Sequence, residues 1–236
     1  MYIVEGNIGA GKSTFLKLIE QHVPSISIAL EPLHNWQQQV YGQSLLANFY
    51  QDPKRWAYTL ETLAMICRVK EHIAEQNSVF SASKIVERSI YSGHYCFTKN
   101  GYDNGFISEI EWQAYLTWFN FLIAGKCKPP HGFIYLKVDP LIAYERIKKR
   151  NRHAEKKITL HYLKQLDQRH EDFLIKKQDL LPGLSQVPVL VLDCNNEFES
   201  NTDQFKKHLY SVQQFIESPQ IHVSTPPTGN SMKTYF

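Results

Sequence analysis

Cysteine is scarce in this chain. Its four residues, Cys67, Cys96, Cys127 and Cys194, are widely scattered, and no C-x-x-C pair occurs. That excludes a disulfide framework or a thiolate zinc site as the basis of the fold, and reduced thiols are expected. Long hydrophobic runs are missing too: none approaches the ~20 residues of a membrane-spanning helix. Nor does charge of one sign dominate, since 26 Lys and Arg offset 23 Asp and Glu to leave a net +3. Wholesale binding to nucleic acid or to a membrane is therefore not expected. No internal repeat recurs and no linker splits the chain. The first strand signal begins at residue 2 and leaves no room for a signal or transit peptide, so a cytoplasmic location is expected if the chain is full length.

What is present is a core-forming composition, 43% hydrophobic in 236 residues, enough for one sizeable α/β domain. At its start, Tyr2-Ile3-Val4 reads as a buried strand. Gly6-Asn7-Ile8-Gly9-Ala10-Gly11-Lys12-Ser13 then fits G-x-x-x-x-G-K-[ST], and Thr14 with the apolar positions Phe15, Leu16, Leu18 and Ile19 opens a helix. Strand, glycine loop and helix start form a phosphate cradle of backbone N–H groups. Lys12 supplies charge to the outer phosphates, and Ser13 a hydroxyl to Mg²⁺. A chance glycine turn would not bring strand, spacing and Lys-Ser together. Glu5, just before the loop, would repel a γ-phosphate. It suits a general base that takes a proton from an attacking hydroxyl; the plainer alternative is a solvated strand-end glutamate.

Further along, β-rich runs alternate with helical ones. Strands are expected at 27–30, 84–87, 133–138 and 187–192. Helices are expected at 53–76, 109–123, 140–150, 160–178 and 202–216. This alternation predicts an α/β fold: a five-stranded parallel sheet flanked by helices, with ligands off the carboxyl ends of the strands. A single domain over 1–217 and a disordered Ser/Thr/Pro-rich tail over 218–236 are expected. The helix at 109–123 carries aromatics nearly all round (Trp112, Tyr115, Trp118, Phe119, Phe121), which predicts burial on several sides, part of it in a subunit contact.

By the strand-end rule Glu87-Arg88-Ser89 points at the phosphates. Glu87 can hold Mg²⁺ directly or through water, and Arg88 can hold the donor phosphate and the attacking hydroxyl together. Asp139 imitates a Mg²⁺-binding aspartate, but Pro140 follows it, so a helix cap is expected instead. From Arg146 to Lys157 seven of twelve residues are Lys or Arg. The bland reading is a solvated helix end. Beside a glycine loop the stretch reads as a basic lid, about 150–157, whose arginines Arg150 and Arg152 neutralise transition-state charge.

These motifs together resemble the cellular deoxynucleoside kinases, over Ile3 to about Phe198. The resemblance rests on Ile3 to Thr14, Glu31-Pro32 with Trp36, and Tyr50 with Pro53, Arg55 and Trp56. Glu87-Arg88-Ser89-Ile90-Tyr91-Ser92 with Tyr95 and Phe97, then Arg146 to Glu155 and Asp193 to Phe198, complete it. It implies a P-loop kinase fold, Mg²⁺, and ATP-dependent phosphorylation of a deoxynucleoside 5′-hydroxyl. By the same resemblance Glu5 is the base and Arg88 helps hold the 5′-oxygen. Tyr50 and Glu155 bind the sugar 3′-hydroxyl. Trp36, Leu60 and Phe97 wall the nucleobase, and Arg146 with the 193–198 loop, including Asn195 and Phe198, borders the donor adenine. A homodimer is also implied.

Two departures concern the base. The family reads the base edge with a glutamine, where this chain has Glu61. Deoxycytidine and deoxyguanosine kinases carry Ser-Asp-Arg-Tyr, where this chain has Ser92-Gly93-His94-Tyr95; the arginine paired with that aspartate is retained as Arg68. An ionised Glu61 only accepts, so it favours a base with N–H groups on its edge. Guanine offers two side by side, with O6 and N7 for Arg68. Cytosine and adenine become acceptable if an apolar site keeps Glu61 protonated. Gly93 leaves room for a purine. A thymidine or broad-specificity kinase is the alternative, and an internal Glu61–Arg68 ion pair that reads nothing is the plain one. A nucleoside monophosphate kinase needs acceptor-site cations rather than a base. A GTP switch lacks an Asn-Lys-x-Asp motif. A non-catalytic nucleotide sensor has no need of so full a set of catalytic positions.

Overall fold

A computed structural model describes residues 1–31, 39–40, 43–78, 83–198 and 202–218. Trp36, Pro32 and the tail beyond residue 218 lie outside the described residues.

Five parallel strands form the main sheet: β1 (Tyr2–Glu5), β2 (Ile26–Ala29), β5 (Ser83–Glu87), β6 (Gly132–Lys137) and β7 (Val189–Asp193), in the spatial order β2-β5-β1-β6-β7. A two-residue hairpin, β3 (Gln39–Val40) and β4 (Gln43–Ser44), stands apart. Register pairs Ile3 with Val86 on one side and with Phe133 on the other. β1 is buried throughout, which accounts for its unbroken apolar run. One face of the sheet packs Val4, Ile134 and Leu136 on Phe15, Leu16 and Ile19 of helix α1 (Lys12–His22). The other packs Ile3, Phe133 and Tyr135 on Tyr91, Tyr115 and Phe119.

Helix α2 (Leu45–Gln51) leads into α3 (Pro53–Gln76). Asp52 caps α3 by accepting from Arg55 N at 3.2 Å, with Pro53 in the first turn. The buried face of α3 includes Ala57, Leu60, Ala64, Met65 and Val69, but also Glu61 and Arg68. Two buried charges on a core-facing stripe depart from ordinary helix amphipathicity and mark the face that meets the cavity.

After β5 the chain runs through α4 (Ile90–Ser92), a π-helical turn (Gly93–Thr98) and α5 (Lys99–Asp103). Helix α6 spans Glu109–Ile123 and α7 spans Pro140–Arg150. Asp139 does cap α7, accepting from Leu141 N at 2.7 Å. Helix α8 (Leu160–His170) follows, continued by a π turn (Glu171–Ile175), then the short α9 (Pro182–Ser185) and α10 (Thr202–Glu217). The expected single helix over 160–178 is thus shorter. Lys177 and Asp179 adopt positive φ, which turns the chain out of the helix. Helix α6 is covered on one side within this chain. Tyr115 and Phe119 are buried, but Trp118 is 52% and Phe121 60% exposed, so this chain covers only one face.

Candidate active site

The carboxyl ends of β1, β2 and β5 converge where α1 begins. Gly9 and Gly11 take φ 84° and 91°, and a Cβ on Gly9 would fall 2.5 Å from Ala143 O. Only glycine allows the loop to lie so close to α7. Asn7 Nδ2 donates to Leu163 O at 2.9 Å and ties the loop to α8. Gly11, at the N-cap of α1, has no side chain, so the first-turn N–H groups face outward for an anion. Lys12 Nζ curls into the loop, donating to Gly6 O at 3.1 Å and Asn7 O at 3.0 Å. Burial, helped by the neighbouring Arg88 charge, pushes the Lys12 ammonium down to about 7. A phosphate at this loop would restore its charge.

A cavity of about 260 Å³ opens beside the loop. It is lined at one end by Ile8, Lys12, Ser13 and Thr14, and at the other by Leu60, Glu61, Arg68 and Phe97. Glu31, Glu87 and Arg88 stand between the two ends. Arg88 has φ 63°, a left-handed conformation rare for a side chain of its size. Its Nε donates to Glu31 Oε2 (3.3 Å), its Nη2 to Gly6 O (3.3 Å), and its guanidinium lies 4.6 Å from the Phe97 ring centre. Arg68 Nη2 donates to the other Glu31 oxygen at 2.7 Å. Burial alone would raise the Glu31 carboxyl, but Arg88 and Arg68 outweigh it and hold the group at about 2.

Glu5 ends β1 beside the loop, as expected, but does not open onto the cavity. It is 0% exposed, off the cavity wall. Ser89 Oγ donates to Glu5 Oε1 at 2.5 Å while accepting from Tyr91 N and Ser92 N, so Glu5 braces the cap of α4. Burial pushes its carboxyl up, against the pull of Arg88, Ser89, Ser92 and Lys12. A base must reach the proton that it takes, and Glu5 does not line the cavity in this structure. Glu31 reaches the cavity instead. The strand-end rule that singled out Glu87 and Arg88 applies equally to Glu31, just past β2, and was the available signal.

Ser13 Oγ donates to Glu87 Oε1 at 2.8 Å, which joins the two expected magnesium ligands beside the loop. One hydroxyl and one carboxylate next to phosphate-binding N–H groups fit a Mg²⁺ that takes its remaining ligands from phosphates and water. The described residues hold no cluster of three or more His, Cys, Asp or Glu suited to a metal ion.

The basic stretch ends α7 and turns at Asn151 (φ 50°) into a short 3₁₀ turn at His153–Glu155. Arg150 Nη2 and Arg152 Nη1 reach Glu155 at 2.6 and 3.5 Å, and all three line the cavity. Tyr50 lines it too; burial, with Glu155 and Glu61 nearby, pushes its phenol up. Sequence reasoning missed Tyr162, Leu46, Phe49 and Ala64 on this wall. All four sit on faces of α2, α3 and α8 that read as ordinary core. A second hollow shares Gly9, Gly11, Thr14 and Arg150 and is closed by Arg146 and Phe198. Arg146 Nη2 donates to the carbonyls of Asn195 and Asn196. Asn195 Oδ1 accepts from Asp139 N at 2.7 Å.

One expectation about the base end needs correcting, and one alternative there gains support. The space beside Gly93 is taken, because a Cβ there would fall 2.8 Å from Arg68 Nη1. And Glu61 is not simply ionised: at 7% exposure, burial lifts its carboxyl to about 7, against the pull of Arg68, Thr98 and Arg88.

Comparison with known proteins accords with this geometry. A model of the deoxynucleoside kinase family matches residues 2–217. The chain is 36% identical to a mitochondrial deoxyguanosine kinase of Xenopus laevis, over 84% of this chain and 83% of that one. It is 32% identical to deoxycytidine kinase 2 of Gallus gallus, over 91% of this chain and 89% of that one. It is 33% identical to a mitochondrial thymidine kinase 2 of Macaca fascicularis, over 87% and 74%. No helix among the described residues is long and apolar enough to cross a membrane.

Proposed function

The chain belongs to the deoxynucleoside kinase family, and on that premise we propose that it transfers the γ-phosphoryl group of ATP to the 5′-hydroxyl of a deoxynucleoside. One observation carries the acceptor assignment. Where the cavity meets the phosphate loop it presents Glu31, and the nearby cations Arg88 and Arg68 are already committed to it. A carboxylate there suits an uncharged hydroxyl and repels a phosphate monoester, which disfavours a nucleoside monophosphate as acceptor.

In the reaction, the 5′-oxygen forms its bond to the γ-phosphorus as the bond to the β-bridging oxygen breaks and ADP leaves. The hydroxyl proton passes to Glu31. A group held near 2 is a weak base, which suits proton loss late along a loose, metaphosphate-like path. Arg88 orients Glu31 and bridges to the phosphate. Lys12 and the loop N–H groups hold the outer phosphates, and Arg150 and Arg152 swing from Glu155 to the transferred group. Ser13 and Glu87 would hold Mg²⁺, which would supply charge neutralisation at the donor phosphates.

Tyr50 and Glu155 grip the sugar, while Leu60, Glu61, Arg68 and Phe97 surround the base. Arg146, Asn195 and Phe198 border the adenine of ATP. Deoxyguanosine is the preferred acceptor when Glu61 is ionised, and thymidine follows. The exposed Trp118 and Phe121 face of α6 fits a contact between two copies of the chain. Turnover of deoxynucleosides against their monophosphates, with ATP and magnesium, tests the assignment: only the nucleosides should be phosphorylated, and turnover of the monophosphates alone would overturn it.

A further inference from the structure

Glu61 is one of two charged side chains on the buried face of α3, and it sits where neither protonation state is penalised by its hydrogen-bond partner. Thr98 Oγ1 lies 3.4 Å from Glu61 Oε2 and 3.0 Å from the Gly93 carbonyl. A hydroxyl has one hydrogen and spare lone pairs. When Glu61 is ionised, Thr98 can donate to it. When Glu61 is protonated, Thr98 can turn its hydrogen to Gly93 O and accept from the acid. Neither arrangement strands a buried hydroxyl, so both are open to the site.

The charges around Glu61 are balanced in the same sense. Arg68, two turns along α3, and Arg88, past β5, favour the carboxylate; Glu31, past β2, opposes it. Arg68 and Arg88 are both engaged with Glu31, which weakens their hold on Glu61. The other titratable groups facing it, Tyr50 from α2, Tyr115 from α6 and Tyr162 from α8, are phenols pushed up by burial and stay neutral.

We propose, resting on the kinase reading above, that Glu61 reads the nucleobase in two protonation states, so that pH selects which class of base the enzyme phosphorylates. As a carboxylate Glu61 offers acceptors only. It then suits a ring N–H, as in guanine or thymine, and faces the bare ring nitrogen of cytosine or adenine acceptor to acceptor. As a carboxylic acid it offers one O–H and one C=O side by side. That pair matches a ring acceptor next to an exocyclic amine, the edge of cytosine and adenine. The balance tips close to neutrality, because burial raises the group to about 7. The acid form, with cytosine and adenine nucleosides, holds below that pH, and the carboxylate form, with guanine and thymine nucleosides, above it.

The test is kcat/KM for deoxycytidine and deoxyguanosine from about pH 6 to about pH 8.5, in the wild type and in Glu61→Gln. Taking the ratio of the two substrates cancels any titration of the shared phosphoryl-transfer machinery. In the wild type the deoxycytidine-to-deoxyguanosine ratio should fall with rising pH through the titration, by about tenfold per unit where each nucleoside uses one form alone, because the ratio then follows that of acid to carboxylate. In Glu61→Gln it should be flat, because an amide does not titrate. A flat wild-type ratio with both nucleosides turned over overturns this inference and leaves the kinase assignment standing. Phosphorylation of none of the four natural deoxynucleosides at any pH overturns both. A wild-type slope that persists in Glu61→Gln assigns the switch to another group and overturns the role of Glu61.

Discussion

Replacing Glu31 by glutamine separates the two carboxylates that compete for the role of base. The perturbation keeps shape and removes one charge. Arg68 and Arg88 hold the Glu31 carboxyl at about 2, against 4.5 for the free group, a preference of about 3 kcal/mol for the ionised form. Because the folded value is depressed, that stabilisation is present above pH 4.5 and is lost as pH falls toward 2. Glu31→Gln forfeits it at neutral pH and should lower Tm by roughly 5–10 °C for a chain of this size. The chemical effect should be separable. Loss of a positioned base lowers kcat about 10²- to 10⁴-fold, or about 3–5 kcal/mol on the barrier. The assay is steady-state turnover of deoxyguanosine at 25 °C, below both melting temperatures, with Glu5→Gln in parallel. KM for ATP should stay within about threefold of wild type, since Glu31 is proposed to act on the acceptor hydroxyl and not to hold the donor phosphates. A folded Glu31→Gln enzyme within tenfold of wild-type kcat, or a greater kcat loss in Glu5→Gln, would refute the reasoning.

Three other outcomes follow from the same geometry. The raised Glu61 carboxyl contributes stability that is fully present below pH 4.5 and lost by about pH 7; Tm of Glu61→Gln minus that of wild type should therefore climb between pH 5 and pH 8, and a constant difference would contradict the shift. With Tyr50 and Glu155 on the sugar, 2′,3′-dideoxynucleosides should lose about tenfold or more in kcat/KM against their deoxy parents, because buried partners are left unpaired; parity would remove the pair from that role. Light scattering should report a dimer that Trp118→Ser with Phe121→Ser weakens, and a monomeric wild type would remove the contact between copies.

The sheet was legible because β1 and β6 are buried on both faces and read as unbroken apolar runs, and because Asp52-Pro53 punctuates the start of α3. The segment from Ile90 to Asp103 was not, since a π-helical turn shifts its periodicity away from 3.6. In helix α6 aromatic content alone does not say which face is covered within one chain and which is left for a partner. The phosphate loop was explicit in spacing. The proposed base was not: sequence gives proximity along the chain, and Glu5 adjoins the loop, whereas Glu31 reaches the cavity only because β2 is parallel to β5 and ends level with it. The engagement of Arg68 with Glu31 crosses from α3 to the end of β2 and leaves no local signal.

The central claim is tested most directly by identifying the product. With ATP labelled at the γ-phosphate, magnesium and an equimolar mixture of the four natural deoxynucleosides, the label should appear as deoxynucleoside 5′-monophosphate, located by phosphorus NMR, with ADP formed in equal amount. Label that passes only to monophosphates already carrying a phosphate, or that is released as inorganic phosphate with no nucleoside product, would contradict the account.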